Sequence, residues 1–96
     1  MAKKLDPLLH NELRLAIMSL LISLEEADFP LIKEKTGATS GNISVQIQKL
    51  KEAGYIQVEK KFKDNYPQTL CKLAPKGIEA FENYVTEIKK FLGGKF

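Results

Sequence analysis

The chain has 96 residues, 44% hydrophobic and 28% charged, with a net charge of +3; this suits one small globular domain and leaves too little chain for a core plus a deep catalytic cleft. No apolar run approaches the roughly 18 residues of a membrane span, and the start Met1-Ala2-Lys3-Lys4-Leu5-Asp6 lacks a signal peptide's apolar segment, so the cytoplasm is the expected compartment. A single cysteine, Cys71, excludes an internal disulfide, and with a single histidine, His10, there is no ligand set for structural zinc.

In chain order, Asp6 followed by Pro7 is an N-cap with proline at the first helical position, and Asn11 offers a second cap one turn later. The first helix is placed over 7–23, with Leu9, Leu13, Ala16, Ile17, Leu20, Leu21 and Leu24 on a wide apolar face and Glu25-Glu26 closing it. Ala27-Asp28-Phe29 reads as extended, because a proline disfavours helical geometry in the residue before it. Pro30 opens a second helix over 30–36, which Gly37 ends.

Only Gly37-Ala38-Thr39 separates it from a third helix over 40–53, so the pair makes a helix-turn-helix unit. Thr39 and Ser40 are candidate N-caps, and Gly54 suits a left-handed C-terminal position. Ile43, Ile47 and Leu50 share one stripe, flanked by Ala53, and should face a core. The opposite side carries Gly41, Asn42, Val45, Gln48, Lys49 and Glu52, groups that a buried helix does not need and a helix lying in a DNA major groove does.

After Gly54 the period changes to two. Strands are placed over 55–62 and 68–73, joined by the turn-forming Asp64-Asn65-Tyr66-Pro67 into an antiparallel hairpin, or wing. Cys71 falls on its core side with Leu73, as a buried structural thiol. Pro75 starts a last helix over 75–92, with Ile78, Phe81, Val85, Ile88 and Leu92 on one stripe, Tyr84 and Phe91 beside it, and Gly93-Gly94 as the stop. The fold class is therefore mainly α with a small β-hairpin, a single domain spanning 1–96.

Charge is unevenly placed along this order. Residues 1–38 sum to −1, residues 39–77 to +4 and residues 78–96 to zero, so the positive excess sits on the third helix and the wing, where phosphates would be met.

The order of elements resembles the winged helix-turn-helix regulators of bacteria and archaea, in the MarR-like and ArsR-like group. The residues that carry the resemblance are Arg14-Leu15-Ala16-Ile17, Thr39-Ser40-Gly41-Asn42-Ile43-Ser44, Leu50-Lys51-Glu52-Ala53-Gly54-Tyr55-Ile56 and Leu73-Ala74-Pro75-Lys76-Gly77. The resemblance implies duplex DNA binding as a homodimer, with the third helix in the major groove and the wing beside the backbone. This chain departs from the family's pattern in its wing, where Asp64-Asn65-Tyr66-Pro67-Gln68 replaces the usual arginine and the only arginine is Arg14. Ala74 stands where threonine is common, which forgoes about 1 kcal/mol of capping. The metal-sensing cysteine clusters of some ArsR-like members have no counterpart.

On this reading Asn42 and Gln48 are amides suited to an adenine edge, Val45 meets a thymine methyl, Ser40 and Ser44 reach phosphates or bases, and Gly41 allows close backbone approach. Thr39 and Lys49 complete the helix contacts. Lys51, Lys60, Lys61 and Lys63, with Asn65 at the wing tip, are the phosphate candidates. Leu8, Leu9, Phe81, Tyr84, Val85, Ile88, Phe91 and Leu92 exceed what a small core should need and are assigned to a twofold interface. The expected function is a dimeric transcription regulator, acting as a repressor because so small a domain has no obvious surface for recruiting polymerase. A small-molecule effector is compatible with this reading but unidentified. The alternative is a protein-interaction adaptor that uses the fold without reading DNA. No nucleophile with a base, metal set or cofactor motif points to an enzyme.

Overall fold

A computed structural model describes residues 4–93; Gly94, half of the expected glycine stop, lies outside them. The elements run α1 (Glu12–Leu24), β1 (Glu26–Asp28), α2 (Phe29–Thr36), α3 (Ser40–Glu52), β2 (Ile56–Lys63), β3 (Tyr66–Leu73) and α4 (Pro75–Phe91). The mainly helical fold with a hairpin wing is as expected, and the short extended segment adds a third strand: the sheet is antiparallel in the order β1-β3-β2.

The first helix starts later than the 7–23 placement. Asp6 Oδ1 accepts from the Leu8 N–H at 2.9 Å and the Asp6 carbonyl accepts from the His10 N–H at 2.9 Å, which makes residues 7–10 a turn. Asn11, extended at φ −149°, is the cap in use, its side chain accepting from the Arg14 N–H at 2.9 Å. The turn folds Leu9 into the core, where it has no exposed surface. The buried face of α1 is Ile17, Met18 and Leu21, whereas Ala16 and Leu24, which follow the same helical spacing, are exposed. α1 ends at Glu25 with φ 70°, a conformation costing a non-glycine residue about 1 kcal/mol or more. Its carbonyl accepts from the Leu73 N–H at 3.1 Å, which ties the helix end to β3.

Phe29 is helical rather than extended, and α2 starts with it. Asp28 caps the helix by accepting from the Leu31 N–H at 2.9 Å, and Pro30 sits in the first turn, where its missing N–H costs nothing. Gly37, at φ 70°, ends α2. α3 stops one residue short of position 53 in a paired C-terminal closure, with the Gly54 N–H on the Lys51 carbonyl at 2.9 Å and the Tyr55 N–H on the Leu50 carbonyl at 3.0 Å. Ile43, Ile47 and Leu50 point into the core shared with Ile32, Ile56 and Cys71. Burial pushes the Cys71 thiol up to about 11.

The strands run closer to the hairpin turn than 62 and 68, because Asp64 and Asn65, both at positive φ (53° and 68°), make a two-residue turn and leave nothing else as loop. Pro67 is tolerated since β1 pairs with β3 only at 70–72, so the strand is bonded from one side there.

The third helix, the wing and α4 meet at Tyr55. Its carbonyl accepts from the Ala74 N–H at 3.0 Å, its hydroxyl donates to Asp6 Oδ2 at 2.5 Å, and Lys76 Nζ lies 5.8 Å from the centre of its ring. Burial, and then the bond to Asp6, push the phenol up to about 12, so it stays a neutral donor. Ala74 is the N-cap of α4 and makes no side-chain cap bond. Gly77 lies against the Tyr55 backbone so closely that a Cβ would overlap its carbonyl. Gly77→Ala should therefore destabilise the fold by about 1–3 kcal/mol despite alanine's better helix propensity, seen as a lower urea midpoint; an unchanged or raised midpoint would show that the junction yields.

Candidate nucleic-acid interface

Thr39 starts α3 with its Oγ1 accepting from the Asn42 N–H at 3.2 Å, so this threonine works as the cap. Ser40, Gly41, Asn42, Ser44, Val45, Gln48 and Lys49 are all exposed on the side away from the buried stripe, with Val45 at 50%. A Cβ built on Gly41 would meet nothing within 4 Å, so no packing within the described residues requires a glycine there.

The two amides expected to read bases, Asn42 and Gln48, are turned along the surface of this helix. Gln48 Nε2 donates to Glu52 Oε1 at 3.0 Å, and Asn42 Oδ1 accepts from Gln46 Nε2 at 2.9 Å. Gln46 in turn accepts from Arg14 Nη1, and Arg14 Nε donates to the Leu8 carbonyl at 2.5 Å. Gln46 and Arg14 were not among the expected site residues. The i, i+4 spacing of Asn42 and Gln46 was the available signal for half of the chain, whereas the Arg14 contact spans 32 positions and has no local trace.

Strand alternation sorts the wing lysines. Lys60 shares a face with Ile56 and Val58, the core side, and its Nζ donates to Thr69 Oγ1 at 2.9 Å. With Thr69 it forms one wall of a shallow groove whose other wall is Ser44, Gln48 and Lys51 of α3, with Phe29 at one end. Lys61 and Lys63 alternate onto the opposite face. Lys61 lies 3.4 Å from Glu59, which also bonds Lys72 at 3.1 Å. The Glu59 carboxyl is held below its usual range by Lys72 and then Lys61, and Lys72 is raised by the same pairing. Asn65 occupies the left-handed turn position, with Phe62 and Tyr66 flanking the turn at 79% and 74% exposure. The groove thus gathers Ser44, Gln48, Lys51 and Lys60, and leaves Lys61, Lys63 and Asn65 outside it.

The residues assigned to a twofold interface divide in the same way. Leu9 and Tyr84 are buried in the protomer core, with the Tyr84 hydroxyl 2.9 Å from His10 Nδ1, so their burial is already achieved within one protomer; this corrects their assignment. Leu8, Phe81 and Ile88 pack partly against that core and Val85 is half-buried, leaving Phe91 and Leu92, joined by Ile78, exposed along α4. Among the described residues no cluster of three metal-ligating side chains occurs, and no helix is long and apolar enough to cross a membrane.

Residues 13–92 match the family described as the winged helix DNA-binding domain. An uncharacterized protein of Methanocaldococcus jannaschii is 35% identical over 79 residues, covering 82% of this chain and 86% of that protein. A transcriptional regulator homologue from Pyrococcus horikoshii OT3 superposes with a TM-score of 0.84 at 28% identity, over 91% of this chain and 86% of its own. A mutant MarR from E. coli, in complex with operator DNA, shares the fold with a TM-score of 0.72 at 18% identity, over 93% of this chain and 63% of its own.

Substitution at Gly41 would distinguish an effect on folding from one on binding. Gly41→Ala should raise the urea midpoint of the free protein, by less than the roughly 1 kcal/mol of a helix interior because Gly41 stands in the first turn of α3, and should weaken attachment to duplex DNA. Equal or tighter DNA binding by the alanine variant would remove close backbone approach from the role of this residue.

Proposed function

The chain belongs to the winged helix DNA-binding domain family, and from that premise we propose that it binds double-stranded DNA with sequence preference, as a homodimeric regulator of transcription. The observation that carries this reading is the outward side of α3. It is capped, exposed, rich in hydrogen-bonding groups and faced by Lys60 across a groove that Lys51 also lines. Set into a major groove, that side offers Ser44, Val45 and Gln48 to base edges, while Lys49, Lys51 and Lys60 reach phosphates. Thr39 and Ser40 bring the N-terminal end of α3 to the backbone. Lys61, Lys63 and Asn65 are secondary phosphate contacts along the outer wing.

The exposed apolar edge of α4 supports the dimer. Ile78, Phe91 and Leu92 are its exposed members, and half-buried Val85 falls seven residues from both Ile78 and Leu92. A twofold axis through this edge would place two copies of α3 on successive major-groove faces about 34 Å apart, on a roughly palindromic site. Occupancy of such a site blocks a promoter, and repression is the direction we assign. A small molecule seated between the two α4 edges would act by changing the spacing of the α3 pair.

A salt titration of binding to mixed genomic DNA tests the reading. The logarithm of affinity should fall by about 0.9 per phosphate neutralised for each unit of log salt. Lys60→Ala should flatten that slope by about one phosphate per protomer, and Lys61→Ala should change it less because Glu59 already pairs with it. Absent or salt-independent binding would refute the proposal. For the dimer, Phe91→Glu should yield folded monomers in sedimentation at micromolar concentration, since a 57% exposed side chain is not needed for the protomer core. A persisting dimer would place the interface elsewhere.

A further inference from the structure

The hydrogen bonds that lead from α1 to the exposed end of α3 have a direction. Arginine carries five N–H donors and no acceptor. Where Arg14 meets the side chain of Gln46, the atom facing it must be the amide oxygen, and Oε1 is the atom found there. The Gln46 NH2 is thereby turned the other way, towards Asn42, and donates to Asn42 Oδ1 at 2.9 Å. Arg14 itself has little freedom to move. Its own N–H is taken by the Asn11 cap at 2.9 Å, its Nε donates to the Leu8 carbonyl, and the contact with Gln46 is partly buried. Exposed Ala16 lines the same cleft as Asn42 and Gln46.

We infer that the Arg14–Gln46 pair sets the polarity of Asn42, turning its Oδ1 toward Gln46 so that its NH2 is the group offered to DNA. This rests on the DNA-binding reading above and makes it more specific. A bidentate match to an adenine edge needs the amide oxygen and NH2 both turned to the base, and here Oδ1, with one of its two lone pairs taken, is turned along the helix toward Gln46. Asn42 Nδ2 instead suits an acceptor: guanine O6 or N7, thymine O4, or a phosphate oxygen. Arg14 and Gln46 act as positioning residues, since neither needs to touch DNA. Exclusion of water on binding strengthens the chain of bonds, because a hydrogen bond gains where the local dielectric falls.

Changing one atom of Gln46 reverses the chain. In Gln46→Glu both side-chain oxygens accept, one from Arg14 and one from the Asn42 NH2, which turns Asn42 Oδ1 outward. Gln46→Met removes the lock without adding charge. The test is selection from random duplexes with wild type, Gln46→Glu, Gln46→Met and Asn42→Ala, each first shown to be folded by thermal unfolding. If Asn42 meets a base, wild type should prefer guanine or thymine at one position per half-site by roughly tenfold. Gln46→Glu should move that preference to cytosine or adenine, whose amino groups donate, and Gln46→Met and Asn42→Ala should relax it. If Asn42 meets a phosphate, the selected sequence stays the same and the Gln46→Met and Asn42→Ala proteins, neither of which gains a charge, bind all duplexes more weakly. Either pattern supports the inference and assigns the contact. Gln46→Met selecting and binding as wild type does, whatever Asn42→Ala does, would overturn the inference while leaving the DNA-binding reading intact. Failure of the wild-type protein to bind any duplex would overturn both.

Discussion

The structure depends on one close approach. Gly77 lies against the backbone of Tyr55, whose carbonyl also accepts the Ala74 N–H, so the entry to α4 is fastened to the residue at which α3 becomes β2. Only a residue without a Cβ permits this contact. The consequence reaches well beyond the junction, because Tyr55 closes α3 through its own N–H and holds the N-terminal turn through its hydroxyl and Asp6. Four parts of the chain are therefore set by one residue's backbone and side chain. The cap that Ala74 cannot supply is replaced by sheet-like bonding and packing at the same place.

Rigidity at that junction gives the surface its meaning. The wing shares the junction with α3, and strand alternation then decides which side chains it turns toward the helix. Lys60 is turned inward and Lys61 outward, although adjacent in sequence. Glu59 compounds the difference by drawing Lys61 and Lys72 into ion pairs on the outer face. Such exposed pairs contribute little to stability. Their effect is on the potential: they lower the positive field on the side of the wing away from α3 and leave Lys51 and Lys60 flanking the groove.

Much of this was legible locally. The caps at Thr39 and Gly54, the stripe of Ile43, Ile47 and Leu50, and the turn at Asp64-Asn65 are each determined by a few neighbouring residues, and the structure has them where the spacing puts them. Helix starts were less legible, since both Asp6-Pro7 and Asn11 carry capping chemistry and the choice between them is made by Tyr55, 49 positions from Asp6. Phe29 shows the same kind of override, with the Asp28 cap outweighing the bias that Pro30 imposes on the residue before it. Apolar periodicity on α4 could not separate core from surface, because Tyr84 enters the core through a partner in the N-terminal turn, His10, that periodicity does not see. The Arg14 contact with Gln46 was invisible for the same reason: it exists only once α1 and α3 have packed.

These contacts bear on how α3 can discriminate. A free amide on a helix surface samples both orientations and meets donors and acceptors on DNA with similar ease, so it adds affinity with little preference. Gln48 is close to that condition, since its one bond is to exposed Glu52 and water can replace it at small cost. Asn42 is not, because Gln46 is itself oriented by a donor-only arginine held at two further points. Glu52 acts in the opposite sense to the lysines: a carboxylate on the outward side of α3 is repelled by phosphates wherever the helix lies loosely on the backbone. It is tolerated where the helix is seated deeply enough for base edges to engage Gln48. On the proposed reading, with Lys49, Lys51 and Lys60 on the side of α3 and no arginine in the wing, nonspecific attraction would be modest, and discrimination would fall to fixed dipoles and the Glu52 charge on α3 itself.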